Sequence, residues 1–224
     1  NDSTKQLHNI QFKNKQIITL ETQSGRCVAR NKGIELANGK YCLFTNSNTI
    51  PKGSFLQKYF NSLSESDIDG LAGIIEYDSE DTAFERYLNS KDRGLKKCHV
   101  NELLPLGYVL FGNCAIQTSL LKLVGGFNQK LNSYGGEEID LLYRINQQYQ
   151  LKLSKINAIV LRYHHPDFHT HCKRLTEFGS ANFKSLPFSI QKDIIPGVLL
   201  KLSVMLPISV LYYIYSFFCY IQFL

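Results

Sequence analysis

The chain has 224 residues, with 25 basic against 19 acidic side chains, a formal net charge of +6 and 44% hydrophobic content. That is enough for one α/β domain with a real core and a short appendage, in the composition range of ordinary globular proteins. The positive balance suits an anionic partner such as a nucleotide diphosphate or lipid headgroup, and no basic run interleaved with aromatics points to nucleic acid.

The six cysteines form no C-x-x-C pair, which excludes a zinc framework and a dense disulfide scaffold and reads as buried reduced thiols. Asn1 to Thr4 is polar rather than a signal-peptide start, and without an initiator Met the sequence reads as a piece beginning mid-domain. Gln16 to Leu20 predicts a short strand, and Gly25 to Asn38 a helix ended by Gly39. Lys40 to Thr45 is an apolar run of strand length, unalternated enough to predict a buried parallel strand. Asn46 to Thr49 breaks it, and Pro51 predicts a helix start running to about Leu63. Strand, helix, and strand ending in a polar loop is the grammar of an open α/β sheet, where ligands bind beyond the carboxyl ends of strands.

Leu71 to Tyr77 predicts another strand, and Ala83 to Leu88 a helix inside a polar connection over 78–107 that reads as a lid or a solvated connector. Tyr108 to Ile116 leads into a predicted helix at Ser119–Val124, closed by Gly125-Gly126. Then comes Gly135-Gly136-Glu137-Glu138-Ile139-Asp140, where two glycines deliver the chain into three carboxylates ahead of an amphipathic run, Leu141 to Tyr149. Carboxylates favour a helix start, so a capped loop explains the pattern. Glycines admitting a ligand beside a carboxylate base explain it as well.

Leu151 to Leu161 predicts a strand running into His164, His165, His169 and His171, a cluster that suits metal ligands, phosphate contacts or a structural network. Cys172 to Lys184 predicts a basic amphipathic helix, and residues 186–201 a linker. From Leu202 to Leu224 no residue is charged, which meets the length of a membrane span or, with Pro207 inside it, of a tilted interfacial helix.

Together these motifs resemble the family-2 glycosyltransferases, inverting enzymes with the nucleotide-sugar-binding GT-A fold, over roughly residues 1–185. Asn1-Asp2-Ser3-Thr4 resembles the tail of the family's D-D-G-S-T segment, and Gly25 to Ile34 its G-x-x-x-A-R-N-x-G-I element. Tyr41 to Pro51 holds the place of the strand ending in D-x-D, and Gly112-Asn113 through Phe127 that of the N-to-V-G-G-F-D segment. Tyr134 to Arg144 resembles Y-G-G-E-D-x-[DE]-L-x-x-R, and His164–His171 a segment of galactosyltransferase-like sequences.

The resemblance implies an open mixed sheet flanked by helices, here lacking its first strands, to which the apolar run Leu202–Leu224 adds a C-terminal membrane helix. It implies Glu138 as the catalytic base, standing where the family has Asp. Asp2, Arg30, Asn46 and Asn48 would bind the nucleotide donor, and Asn113, Gly135, Gly136, Glu137 and Asp140 the acceptor or sugar. A divalent metal, Mn²⁺ or Mg²⁺, would sit on Asn48, His164 and His165. Since D-x-D reads Asn46-Ser47-Asn48, metal binding would be weakened, with Arg30 or Lys96-Lys97 as alternative charge. The implied partners are a nucleotide-sugar donor, a glycan or lipid-linked acceptor and a membrane surface, with the catalytic domain cytoplasmic. The other reading is a degenerate sugar-binding or partner-binding protein of the same fold.

Overall fold

A computed structural model describes residues 25–78, 82–131 and 133–194. The strand expected at Gln16–Leu20, Asp2, and the apolar stretch Leu202–Leu224 lie outside them. In chain order the elements are α1 (Gly25–Leu36), β1 (Tyr41–Thr45), β2 (Thr49–Pro51), α2 (Phe55–Glu65), β3 (Gly70–Tyr77) and α3 (Ala83–Asn89). There follow β4 (Asn113–Gln117), α4 (Thr118–Leu123), α5 (Glu137–Gln148), β5 (Leu153–Arg162), α6 (Phe168–Ser180), α7 (Asn182–Ser185) and α8 (Phe188–Ile194).

The five strands form one mixed sheet in the order β1-β4-β3-β5-β2. Only β3 and β5 run parallel; the other neighbours are antiparallel. Side chains alternate between the two faces, as the period of a strand requires. Cys114 and Ile116 of β4 join a core with Cys27, Ile34, Leu121, Leu141 and Ile145, which seats α1, α4 and α5. Ala115, between them, joins the opposite core with Phe55, Tyr59, Phe84 and Val160, which seats α2 and α3. Each fully buried Leu, Ile or Phe contributes roughly 1.5–3 kcal/mol, so the two cores hold the layers together.

Two sequence expectations change here. The run at Lys40–Thr45 is antiparallel to β4 and only half-buried, lying at one end of the strand order among the described residues. Its apolar character serves an aromatic stack, with Phe44 ring centroids 4.9 Å from Phe111 and 6.0 Å from Phe127. Pro51 does not open a helix. It ends β2 at the sheet edge opposite Val160, where proline is tolerated, and the helix starts at Phe55 after Gly53 turns the chain with φ +58°.

The described part of the connection, residues 82–107, is folded and docked. A capping box starts α3, with Glu85 N–H donating to Thr82 Oγ1 at 3.3 Å and Thr82 N–H to Glu85 Oε2 at 3.0 Å. Leu104 N–H then donates to Leu153 O at 2.9 Å, and Lys155 Nζ to Lys96 O at 3.0 Å, pinning the segment to β5. No helix among the described residues is long and apolar enough to cross a membrane.

Candidate active site

A cavity of about 790 Å³ opens at the end of the sheet where β1 and β3 finish, between the 106–112 loop, the 134–139 loop and α6. The Gly-Gly-Glu-Glu stretch forms one wall. Gly135 and Gly136 take φ +80° and +86°, conformations that favour glycine, and turn the chain directly into α5. Their closeness to α6 matters equally: a Cβ on Gly136 would stand 2.8 Å from the Phe178 ring. The turn therefore needs glycine for both backbone and packing, and it places Glu137, Glu138 and Asp140 in the first turn of α5.

The three carboxylates have different surroundings. Glu137 is 3% exposed and accepts two bonds from Arg26, at 2.6 Å from Nε and 2.9 Å from Nη2, with Arg30 Nη1 at 3.5 Å. This paired geometry joins α1 to α5, so Glu137, expected at the acceptor, is fully engaged by arginine. Asp140 does not line the cavity. Its Oδ2 accepts from Arg144 Nε at 2.8 Å, and Arg144 in turn donates to Val124 O at 2.8 Å and Gly126 O at 2.7 Å, clamping the glycine turn after α4.

Glu138 keeps 23% of its side-chain exposure, at the cavity wall. Its Oε1 accepts from Arg30 Nη2 at 3.2 Å and its Oε2 from the Phe111 N–H at 3.2 Å. Burial pushes this carboxyl above the usual glutamate range and Glu137 adds to the rise, against the opposing pull of Arg30, the Phe111 N–H and Arg26. Each carboxylate oxygen retains a second lone pair, so the group can still take a proton.

The expected donor and acceptor residues divide. Arg30 and Asn46 line the cavity, as do Gly135 and Gly136. Asn46 lies against the backbone of Gly112, where a Cβ would meet its Nδ2 at 2.5 Å. Asn48 does not line it; its Nδ2 donates to Tyr163 O at 2.7 Å and extends the β2–β5 pairing. Asn113 is 0% exposed and serves the fold. Its Oδ1 accepts from Tyr59 OH at 2.8 Å, and its Nδ2 donates to Ile74 O at 2.9 Å and Ala158 O at 3.0 Å. It thereby fills the irregularity where the β3–β5 register slips after Ala72.

The histidines also separate. His164 is exposed with φ +48°, whereas His165 contacts Asp78 O and Pro166 O at 3.1 Å each and lies 3.3 Å from Glu85. No group of three His, Cys, Asp or Glu side chains able to hold a metal occurs among the described residues. His171 lines the cavity, its ring centroid 5.2 Å from that of Phe84. Lys96 Nζ instead donates to Leu88 O at 3.1 Å and Asn89 Oδ1 at 3.3 Å, and Lys97 sits over Tyr108; neither lines this cavity.

The residues that sequence reasoning missed are arginines. Arg26, Arg93, Arg162 and Arg174 line the cavity with Arg30, against Glu137 and Glu138 as the only acidic lining residues described. A signal existed for two of them: Arg162 ends the strand before the histidines, and Arg174 stands one helical turn after His171.

The sequence model of glycosyl transferase family 2 matches residues 2–124. Glycosyltransferase GlyG of Streptococcus pneumoniae serotype 4 (strain ATCC BAA-334 / TIGR4) is 26% identical over 90 residues, 40% of this chain and 30% of GlyG. Among solved structures, S. aureus TarS 1–349 in complex with UDP superposes with a TM-score of 0.53 at 15% identity, covering 92% of this chain and 62% of TarS. GalNAc-T7 with UDP, GalNAc and Mn²⁺ gives 0.50 at 14%, covering 84% and 46%. The chain thus spans less than two thirds of each of these proteins, and the two structural likenesses show the fold, a GT-A-type mixed sheet flanked by helices. The matched stretch ends before the Gly-Gly-Glu-Glu turn but runs through α1, the β1 strand with its Asn46 loop, and β4. With more than half of its sequence matched, the chain belongs to glycosyl transferase family 2.

Proposed function

We propose that this chain transfers a sugar from a nucleotide-sugar donor to a saccharide or lipid-linked acceptor in one in-line displacement, with inversion at the anomeric carbon. The observation that carries the reading is Glu138: a carboxylate on the cavity wall, positioned by Arg30 and the Phe111 N–H and raised in proton affinity by burial. The acceptor hydroxyl gives its proton to Glu138 as its oxygen bonds to the anomeric carbon. The bond from that carbon to the diphosphate oxygen breaks, and its electron pair leaves with the nucleoside diphosphate. Arg26 and Glu137 hold α1 against the start of α5 and so keep the base in place. A role in surface polysaccharide or glycoconjugate synthesis, with the catalytic domain on the cytoplasmic side of a membrane, rests on the apolar stretch Leu202–Leu224.

The test is sugar transfer by the full-length protein. Glu138→Gln keeps the shape and the Phe111 contact but cannot take the proton, and it is expected to lower kcat by at least about 100-fold. Transfer at the parent rate would remove Glu138 as the base.

One observation favours a second reading, a sugar-binding protein of this fold without turnover. Asn48 stands in a family carboxylate position and its amide is engaged by the Tyr163 carbonyl. Under that reading the full-length protein binds nucleotide sugar in calorimetry and releases neither free nucleoside diphosphate nor product.

A further inference from the structure

The metal expected from the family does not fit the donors that the described residues bring to the cavity. Asn46 and Asn48 are neutral amides, and Asn48 directs its side chain to Tyr163 O. Hard divalent cations take oxygen donors, chiefly carboxylates. Yet the leaving group of a nucleotide-sugar reaction carries negative charge that must be stabilised somewhere.

Arginine side chains in the cavity lining supply compensating positive charge. Arg26 and Arg30 are already paired with Glu137 and Glu138. Arg93, Arg162 and Arg174 are different: none of them makes an ion pair with a carboxylate among the described residues, and all three line the cavity. Each is held by an aromatic ring, Arg93 at 5.0 Å from the Tyr87 centroid, Arg162 at 5.9 Å from Tyr77 and Arg174 at 5.4 Å from Tyr134. Rings of this kind fix a guanidinium through its face, and Arg93 is held further by side-chain hydrogen bonds with Tyr87 and Tyr77. Arg162 Nε is buried with no hydrogen-bond partner, a cost that a bound anion would relieve. His171 lines the same cavity, and burial first, then the charges of Arg93, Arg174 and Arg162, lower its value to about 4.

We propose that Arg93, Arg162 and Arg174 seat the diphosphate of the nucleotide donor directly, without a divalent cation. Three guanidinium groups replace the metal's charge, and their fork geometry matches phosphate oxygens. This rests on the transferase reading for the identity of the ligand alone; the arginine cluster itself is independent of Glu138.

Calorimetric titration of the full-length protein tests it, with inorganic pyrophosphate and with UDP, GDP, ADP and CDP in turn, first in EDTA and then with Mn²⁺. The expected result is pyrophosphate binding in EDTA, displaced by at least one nucleoside diphosphate, with Mn²⁺ changing Kd by less than about threefold. Arg162→Gln and Arg174→Gln should each weaken pyrophosphate binding by roughly tenfold or more, and Arg174→Lys by less. Melting temperatures identify any variant that fails to fold; Arg174, on the outer helix α6, serves where Arg162→Gln does. Binding that requires Mn²⁺, a pyrophosphate site that no nucleoside diphosphate competes for, or folded Arg174→Gln that binds like the parent would each overturn the proposal. Glu138→Gln, which removes a negative charge from the same cavity, should bind pyrophosphate at least as tightly as the parent, so loss of the base assignment and loss of the anion site give different results.

Discussion

Arg30 of α1 donates to Glu138 of α5 at 3.2 Å, a contact between residues 108 positions apart that ties the first described helix to the carboxylate on the cavity wall. The same arginine reaches Glu137 at 3.5 Å, so one cation bridges two adjacent acids. Its charge lowers the proton affinity of Glu138, opposing the larger upward effect of burial. Removing it therefore lets the Glu138 value climb further. A base works only when deprotonated, so the acid limb of kcat/KM should already lie above the ordinary glutamate value of 4.5. In Arg30→Gln it should move further upward, with kcat/KM lost on the acid side. A pH–rate profile of parent and variant checks both statements.

The same displacement has a stability consequence of definite sign. A carboxyl whose folded value is raised binds more protons folded than unfolded, so stability falls as pH rises from 4.5 through the folded value. Glu138 is then a destabilising charge at neutral pH. Glu138→Gln should lose transfer while its melting temperature at pH 7 holds or rises, separating a site defect from a folding defect.

Asn113 gives the opposite pattern. Its amide is fully buried and satisfied by Tyr59, Ile74 and Ala158, bringing α2, β3, β4 and β5 to one point. Asn113→Ala strands two carbonyls and a hydroxyl, at a cost of about 3 kcal/mol or more. Asn113→Asp should be no better, because a carboxylate oxygen would face the two carbonyls. Chemical denaturation reads the loss, and pyrophosphate affinity of the folded fraction should not change.

Glu138, Asn113 and Arg162 differ in how far the local sequence specifies their places. The α1, β3, α3, α4 and β5 elements follow from local periodicity, and the Gly-Gly-Glu-Glu turn from glycines that only a left-handed backbone requires. Glu138 is marked locally by the glycines before it, but the partners that position it, Arg30 and the Phe111 N–H, lie 108 and 27 positions away in sequence. Asn113 sits in an equally suggestive motif, but whether an Asn faces a ligand or a β-irregularity depends on the register of strands far away in sequence. Arg93, Arg162 and Arg174 come from a connection, a strand end and a helix, so no spacing links them. The position of β1 at one end of the strand order among the described residues escaped for a related reason, since an apolar run looks alike whether strands cover it or the rings of Phe111 and Phe127 do.

Gly136 and Gly125 make a controlled pair. Both have positive φ, +86° and +72°, but a Cβ on Gly125 meets open space while one on Gly136 meets Phe178 at 2.8 Å. Gly125→Ala should cost about 1 kcal/mol of backbone strain alone. Gly136→Ala adds the collision with α6 and should cost about 2–3 kcal/mol. Thermal unfolding of the two variants measures the difference, and Phe178→Leu should recover only the packing part, because the left-handed strain remains.

His171 ties the basic wall to pH. Burial, then Arg93, Arg174 and Arg162, lower its value from 6.5 to about 4 in the folded chain. The unfolded chain takes up this proton as pH falls through 6.5, whereas the folded chain resists until about 4. Its contribution is therefore complete above pH 6.5 and is lost progressively toward pH 4, by at most about 3 kcal/mol. His171→Gln should flatten that part of the stability profile. The same imidazole reports on its neighbours: an anion seated among the three arginines offsets their charge and raises the His171 value. In NMR titrations the ring should protonate at higher pH with saturating pyrophosphate than without it, and the difference should shrink in Arg174→Gln.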